Sequence, residues 1–209
     1  TASQPLVNIG SATMKHSGAY QVTVTDNNQC KGSSSKQVSI LENPTVTAIG
    51  DTVCLNESAF LTAAGAQDYF WFGTNLVFNT GSQAKVGRAD FTTPQSYLVI
   101  GTAANGCTST ATAEVRTRPL PVPSIILQPG DTVCQNTMLT FTGKGGEGYE
   151  WFTPAGSNYS GKKLELVMDA RHPAGEYTLV VTDATGCRNT PANIGCRQNG
   201  LNSGRNFPT

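Results

Sequence analysis

An internal repeat governs what this chain can fold into. Asp51-Thr52-Val53-Cys54 recurs as Asp131-Thr132-Val133-Cys134, and Tyr69-Phe70-Trp71-Phe72 as Tyr149-Glu150-Trp151-Phe152. Tyr97 with Gly106-Cys107 recurs as Tyr177 with Gly186-Cys187, again 80 positions on. Three landmarks in one register mark a duplicated structural unit. A partial third copy stands at the N-terminus, where Gly18, Tyr20 and Cys30 match Gly175, Tyr177 and Cys187 at a shift of 157. In every copy the tyrosine lies ten residues before the cysteine. The first copy lacks the half that carries Asp-Thr-Val-Cys and Trp, so residues 1–43 read as the last three or so strands of one repeat. Residues 44–118 and 119–191 read as two complete repeats, and residues 192–209 as a tail outside the pattern.

The local pattern is that of strands. Tyr177, Leu179 and Val181 share one face, as do Tyr20, Val22 and Val24, the period of two that a half-buried strand shows. Asn105-Gly106 and Thr185-Gly186 fall where a strand must reverse, and glycine supplies the positive φ such turns want. Roughly seven short strands in about 80 residues predict an all-β chain of small two-sheet sandwiches in tandem. Arg118-Pro119-Leu120-Pro121-Val122-Pro123 separates the complete copies; alternating prolines favour an extended connector and an elongated array.

Composition narrows the partners. Lys and Arg number 14 against 14 Asp and Glu, and charged residues make up 13% of the chain, about half the usual ~25%. Such a surface offers no electrostatic footprint for nucleic acid. No apolar run reaches the roughly 20 residues that a spanning helix needs, so membrane insertion is not expected. The chain opens at Thr1 inside a repeat, which reads as a piece of a longer protein.

Six cysteines, none in a CxxC pair, point to structural disulfides and an oxidising compartment. In each complete copy the first cysteine precedes the second major strand and the other follows the turn near the end. The expected bridges are Cys54–Cys107 and Cys134–Cys187, each closing about 54 residues and worth ~4 kcal/mol in the chain-entropy model. Cys30 and Cys196 are left over, free to pair with each other, to stay unpaired or to pair between chains. Trp71, Trp151, Tyr20, Tyr97 and Tyr177 read as core aromatics, with each Trp covering a bridge as in immunoglobulin-type sandwiches. Phe70 and Phe72 then point outward, and with Phe78 they are the candidate binding surface. Glu150 replaces Phe70 in the last copy, so that surface is not common to the repeats.

The Asp-Thr-Val-Cys opening, the Tyr-x-Trp strand and the Gly-x-Tyr-x-Val-x-Val-Thr-Asp run from Gly18 to Cys30 resemble the Ig-like and PKD-like tandem repeats of large surface proteins of Bacteroidota. Tyr149 to Gly156 is similar to the YxWxxPxG segment of PKD-like domains. The resemblance implies an extracellular, non-catalytic structural or adhesive module of a bacterial cell-surface adhesin, of the kind associated with gliding motility and type IX secretion. The rival reading is an accessory carbohydrate- or protein-binding module of a secreted hydrolase. Implied partners are neighbouring repeats of the parent chain and surface glycans or matrix proteins. The resemblance also implies Thr52 and Thr132 as O-glycosylation acceptors in an Asp-Thr-apolar pattern.

Catalytic motifs are missing from the sequence. His16 and His172 occupy nearly equivalent loop positions before the Gly-x-Tyr strand, and neither GxSxG nor HExxH is present, so no enzyme is expected. No cofactor is expected either. Calcium between repeats would need clustered acids near both linker ends, and only Glu42, Asp51 and Asp131 qualify, so it is kept as the one alternative to no cofactor. Asp26 and Asp183 share a turn position, but Ala103 stands there in the middle copy, which favours side-chain-to-backbone turn bonds.

Overall fold

The computed structural model describes residues 6–198. It divides into two compact units: the chain up to Asp51 with Ser58–Arg88 and Pro94–Val115, and Thr52–Glu57 with Ala89–Thr93 and the chain from Arg116 onward. Regular structure among the described residues is β, apart from one 3-10 turn at Met14–His16.

The N-terminal partial copy forms β1 (Gly18–Thr25) and β2 (Lys31–Val38), an antiparallel pair with Tyr20 opposite Lys36 and Val24 opposite Gly32. Among the described residues two strands form here where three were expected. Tyr20 departs from its expected core role, being 40% exposed. No second sheet among the described residues covers the Tyr20, Val22 and Val24 face, and the Tyr20 hydroxyl donates to the His16 carbonyl at 2.8 Å.

The middle copy runs through β3 (Thr47–Ile49), β4 (Asp51–Cys54), β5 (Ala59–Ala64), β6 (Asp68–Phe72), β7 (Leu76–Phe78), β8 (Gln83–Val86), β9 (Gln95–Thr102) and β10 (Thr108–Arg118). Its sheets have the orders β3-β5-β8-β7 and β4-β10-β9-β6. The last copy runs through β11 (Ser124–Gln128), β12 (Thr132–Val133), β13 (Met138–Lys144), β14 (Gly148–Phe152), β15 (Asn158–Ser160), β16 (Lys163–Val167), β17 (Gly175–Thr182) and β18 (Arg188–Gln198). Here the orders are β11-β13-β16 and β12-β18-β17-β14-β15, with β12 lying parallel to the far end of β18. A leading segment divided between two sheets, with the last strands forming a hairpin beside the Trp strand, is an immunoglobulin-like sandwich.

β18 ends at Gln198, the counterpart of Arg118 at the end of β10. Residues 192–198 are therefore strand and not tail, because the antiparallel ladder from β17 holds them through Gly175 opposite Cys196. The remainder of the expected tail, 199–209, lies outside the described residues.

Alternation decides which side chains meet. Along β14, Tyr149 and Trp151 are buried; along β17, Tyr177, Leu179 and Val181 are buried, facing Leu139, Phe141, Leu164, Leu166 and Met168 in one cluster. Trp71 and Trp151 are both fully buried. Each indole N–H is satisfied by the carbonyl ten residues on, Gly81 at 3.1 Å and Gly161 at 2.8 Å, so a large aromatic is buried without an orphaned donor. Tyr97 and Tyr177 also stay inside, as expected; burial raises both phenols, that of Tyr177 to about 12.

Two substitutions of neighbouring side chains separate the faces of β14. Trp151→Ala removes a fully buried side chain and is expected to cost about 3–5 kcal/mol. Phe152→Ala, on the outward face, is expected to cost under about 1 kcal/mol. Urea unfolding followed by circular dichroism reads both, and equal midpoints would show that the faces are misassigned.

Candidate functional site: cysteine poles and an outward aromatic strip

One disulfide is formed among the described residues, Cys54–Cys187, with Cα atoms 5.6 Å apart. The expected Cys54–Cys107 and Cys134–Cys187 bridges are both absent; Cys107 and Cys134 are free thiols, as are Cys30 and Cys196. Strand length is the reason. Val133 pairs with Gln198 at one end of β18, whereas Cys187 precedes Arg188 at the other end. Eleven residues at ~3.3 Å each put these cysteines about 35 Å apart along the strand, against a Cα separation limit near 7 Å for a disulfide. The middle copy repeats the arrangement. Leu55 N–H donates to the Arg118 carbonyl at 2.9 Å, which fixes Cys54 at the far end of β10, and Cys107 lies in the turn before its first residue, Thr108.

The partners that do bond flank the proline linker. Cys54 ends β4 beside Arg118, and Asn189, two residues after Cys187, donates its side-chain amide to the Pro121 carbonyl at 2.8 Å. The bond closes a loop with a sequence separation of 133, worth on the order of 5 kcal/mol in the chain-entropy model.

Both cysteine positions are set by turns that recur between copies. Glu57 N–H donates to Cys54 O at 3.0 Å and Thr137 N–H to Cys134 O at 3.3 Å. The second of the two residues between is a left-handed asparagine in each copy, Asn56 at φ 72° and Asn136 at φ 63°. At the other pole, the N–H groups of Asp26, Ala103 and Asp183 donate to the carbonyls of Cys30, Cys107 and Cys187 at 2.9–3.0 Å. The preceding residue has positive φ in all three copies: Gln29 at 68°, Gly106 at 83° and Gly186 at 86°. Asp26 accepts from the N–H groups of Asn28 and Cys30, and Asp183 from those of Thr185 and Cys187. The Thr185 hydroxyl leads the donors that hold the Asp183 carboxyl below its ordinary range.

Cys196 has a separate fate. It is 3% exposed and packs into the core of the last copy, so pairing with another chain, one of its three expected options, is sterically closed. Burial, then the Asp131 charge, push its thiol up to about 11, leaving it protonated and unreactive.

The outward aromatics gather on the first unit. Phe70 and Phe72 are 42% and 46% exposed, with ring centroids 4.8 Å apart in an edge-on arrangement. They stand beside Ile100 and Leu98 of β9. Phe70 also opposes Thr80, and continuing that register sets Phe78, 42% exposed, across from Phe72. In the last copy Glu150 takes the Phe70 position and forms a surface ion pair with Arg188. It borders a depression of about 640 Å³ edged by Gly146, Gly161, Lys162 and Thr182.

The histidines end the loops before the Gly-x-Tyr strands. His16 Nδ1 accepts from the Thr13 N–H at 2.9 Å. His172 Nε2 lies 3.2 Å from the Tyr159 hydroxyl, and its Nδ1 is 3.3 Å from Asp169. Asp169 already accepts the backbone N–H groups of His172 and Arg171, His172 first among the donors that lower its carboxyl. Thr52 and Thr132 are exposed on β4 and β12. Among the described residues no group of three or more His, Cys, Asp or Glu side chains converges, and no helix is long and apolar enough to cross a membrane.

No protein-family model and no curated protein matches the chain. Among solved structures it is similar to the fibronectin(III)-like modules of Clostridium thermocellum CbhA, at 13% identity over 78% of this chain and 100% of that one, TM-score 0.36. It is similar to the Ca2+-stabilized adhesin with which an Antarctic bacterium binds ice, at 11% identity over 87% and 57% of the chains, TM-score 0.38. Amphioxus IgVJ-C2 gives 13% identity over 71% and 100%, TM-score 0.35. Overlap at this level assigns neither ligand nor role.

Thiol accessibility tests the cysteine assignment. In the native, unreduced chain, Cys30, Cys107 and Cys134 are expected to take up iodoacetamide at pH 8, with Cys196 reacting only in denaturant and Cys54 and Cys187 only after reduction. Mass-spectrometric mapping reads this; a protected Cys107 or Cys134 in a monomer would contradict it.

Proposed function

We propose that this chain is a non-catalytic, extracellular tandem-repeat module of a bacterial surface adhesin, of the Bacteroidota type its motifs resemble, and that it presents a ligand-binding face on the middle copy. The observation that carries the reading is the repetition itself. Two copies bury the same Trp with the same indole bond and hold cysteines in the same turns, yet show different residues outward at the Phe70 and Glu150 position. Conserving a scaffold while varying its surface suits a spacer array in which single copies acquire binding roles. A disulfide supports an oxidising, extracellular compartment.

The face is the Phe70, Phe72 and Phe78 strip. Clustered exposed aromatics are uncommon on a monomer's surface and mark contact sites; set beside Leu98 and Ile100 on the neighbouring strand, they suit the apolar faces of sugar rings or an apolar protein patch. The same strip would serve the rival role, a binding module of a secreted hydrolase. The module needs no cofactor, and Thr52 and Thr132 stand exposed as glycan acceptors.

The test is a screen of the full chain against immobilised glycans and matrix proteins, with and without calcium. Saturable binding that falls at least about tenfold, near 1.4 kcal/mol, in Phe70→Ser/Phe72→Ser is the expected result, unchanged by chelation. Binding that survives the double substitution would place the face elsewhere. No binding to any surface would leave a spacer.

A further inference from the structure

The free cysteines are the open halves of a bridge this chain has already made once. We propose that Cys134 and Cys107 each form that disulfide with an adjacent copy of this repeat in a tandem array. Cys134 takes the Gly-Cys cysteine of a copy that follows it, and Cys107 the Asp-Thr-Val-Cys cysteine of a copy that precedes it.

Three observations carry this. Cys54–Cys187 joins the first cysteine of one copy to the second cysteine of the next, so the bonded pairing links successive copies. The turns that hold Cys134 and Cys107 match those that hold Cys54 and Cys187, so the unbonded cysteines are already positioned for the same bond. Burial then distinguishes the two sets: Cys54 and Cys187 are 8% and 0% exposed, whereas Cys134 is exposed and Cys107 partly so. Pairing within a copy is barred, because β10 and β18 hold the two positions at opposite poles. Cys30 stands in the same turn as Cys107 and Cys187 and takes the same kind of partner.

The chemistry balances as thiol–disulfide exchange. Each new S–S bond releases two protons and two electrons, which reduce a disulfide oxidant such as oxidised glutathione to two thiols. This inference rests on the tandem-array part of the proposed function and on none of its ligand assignments, so a silent binding screen leaves it standing.

The experiment extends the full chain, replacing residues 199–209 with a second copy of 119–198, so that the joint reproduces the step from Arg118 to Pro119. After oxidation with glutathione, proteolysis without reduction is expected to yield a peptide linking Cys134 to the Gly-Cys cysteine of the added copy, with Cys54–Cys187 retained. Alkylation of Cys134 is expected to fall by at least tenfold, and Cys134→Ser to expose the added thiol. Cys134 that remains fully alkylated while the added copy is folded would overturn the proposal. A second arm does not depend on the added copy folding: the original chain is reduced and reoxidised. Re-formation of Cys54–Cys187 supports the pairing rule, and recovery of Cys54–Cys107 or Cys134–Cys187 overturns it.

Discussion

A strand of eleven residues is about 36 Å long, and β10 and β18 each place a cysteine-bearing turn at one end and the Asp-Thr-Val-Cys segment at the other. That length decides the covalent logic of the chain. It separates the two cysteines of a copy beyond any disulfide. The familiar sandwich disulfide instead ties the two sheets through the core. Here the cores stand without it, on Trp71 and Trp151 and the alternating apolar faces around them.

Dispensing with a core staple puts the load on packing. Each Trp brings a large apolar area and one polar group, and the local carbonyl of Gly81 or Gly161 satisfies that group within its own loop. The indole is thus anchored by sequence-local geometry while its rings fill the space between sheets. The partial copy at the N-terminus shows the converse. It has the same Gly-x-Tyr strand and the same turn at Cys30, yet with no opposing sheet among the described residues its Tyr20, Val22 and Val24 remain on the surface.

Much of this was legible in the sequence. The repeat register stands in landmarks that recur 80 positions apart, and the all-β class, the inward Trp71, Trp151, Tyr97 and Tyr177 and the outward Phe70 and Phe72 follow from period-two alternation, which is local. The cysteine pairing was not legible, because it depends on which pole each turn occupies, and that is set by strand direction and register across the sheet. A signal was present in the ten apolar-alternating positions between Cys107 and Arg118, which already span too far for a return to Cys54. Residues 192–198 were misread for a related reason. Cys196 has no counterpart one repeat earlier, where Arg116 stands, so a continuing strand looked like a break in the pattern.

The separation of the poles is the claim on which the rest turns, and it can be measured as a distance. Spin labels on Cys134 and on Thr185→Cys, with Cys30 and Cys107 changed to Ser, report the span of the last copy by pulsed electron resonance. The expected separation is roughly 30–40 Å. A separation below about 20 Å would mean that the first-cysteine segment folds back toward the β17–β18 turn instead of lying a strand length away, and would contradict the separation of the poles.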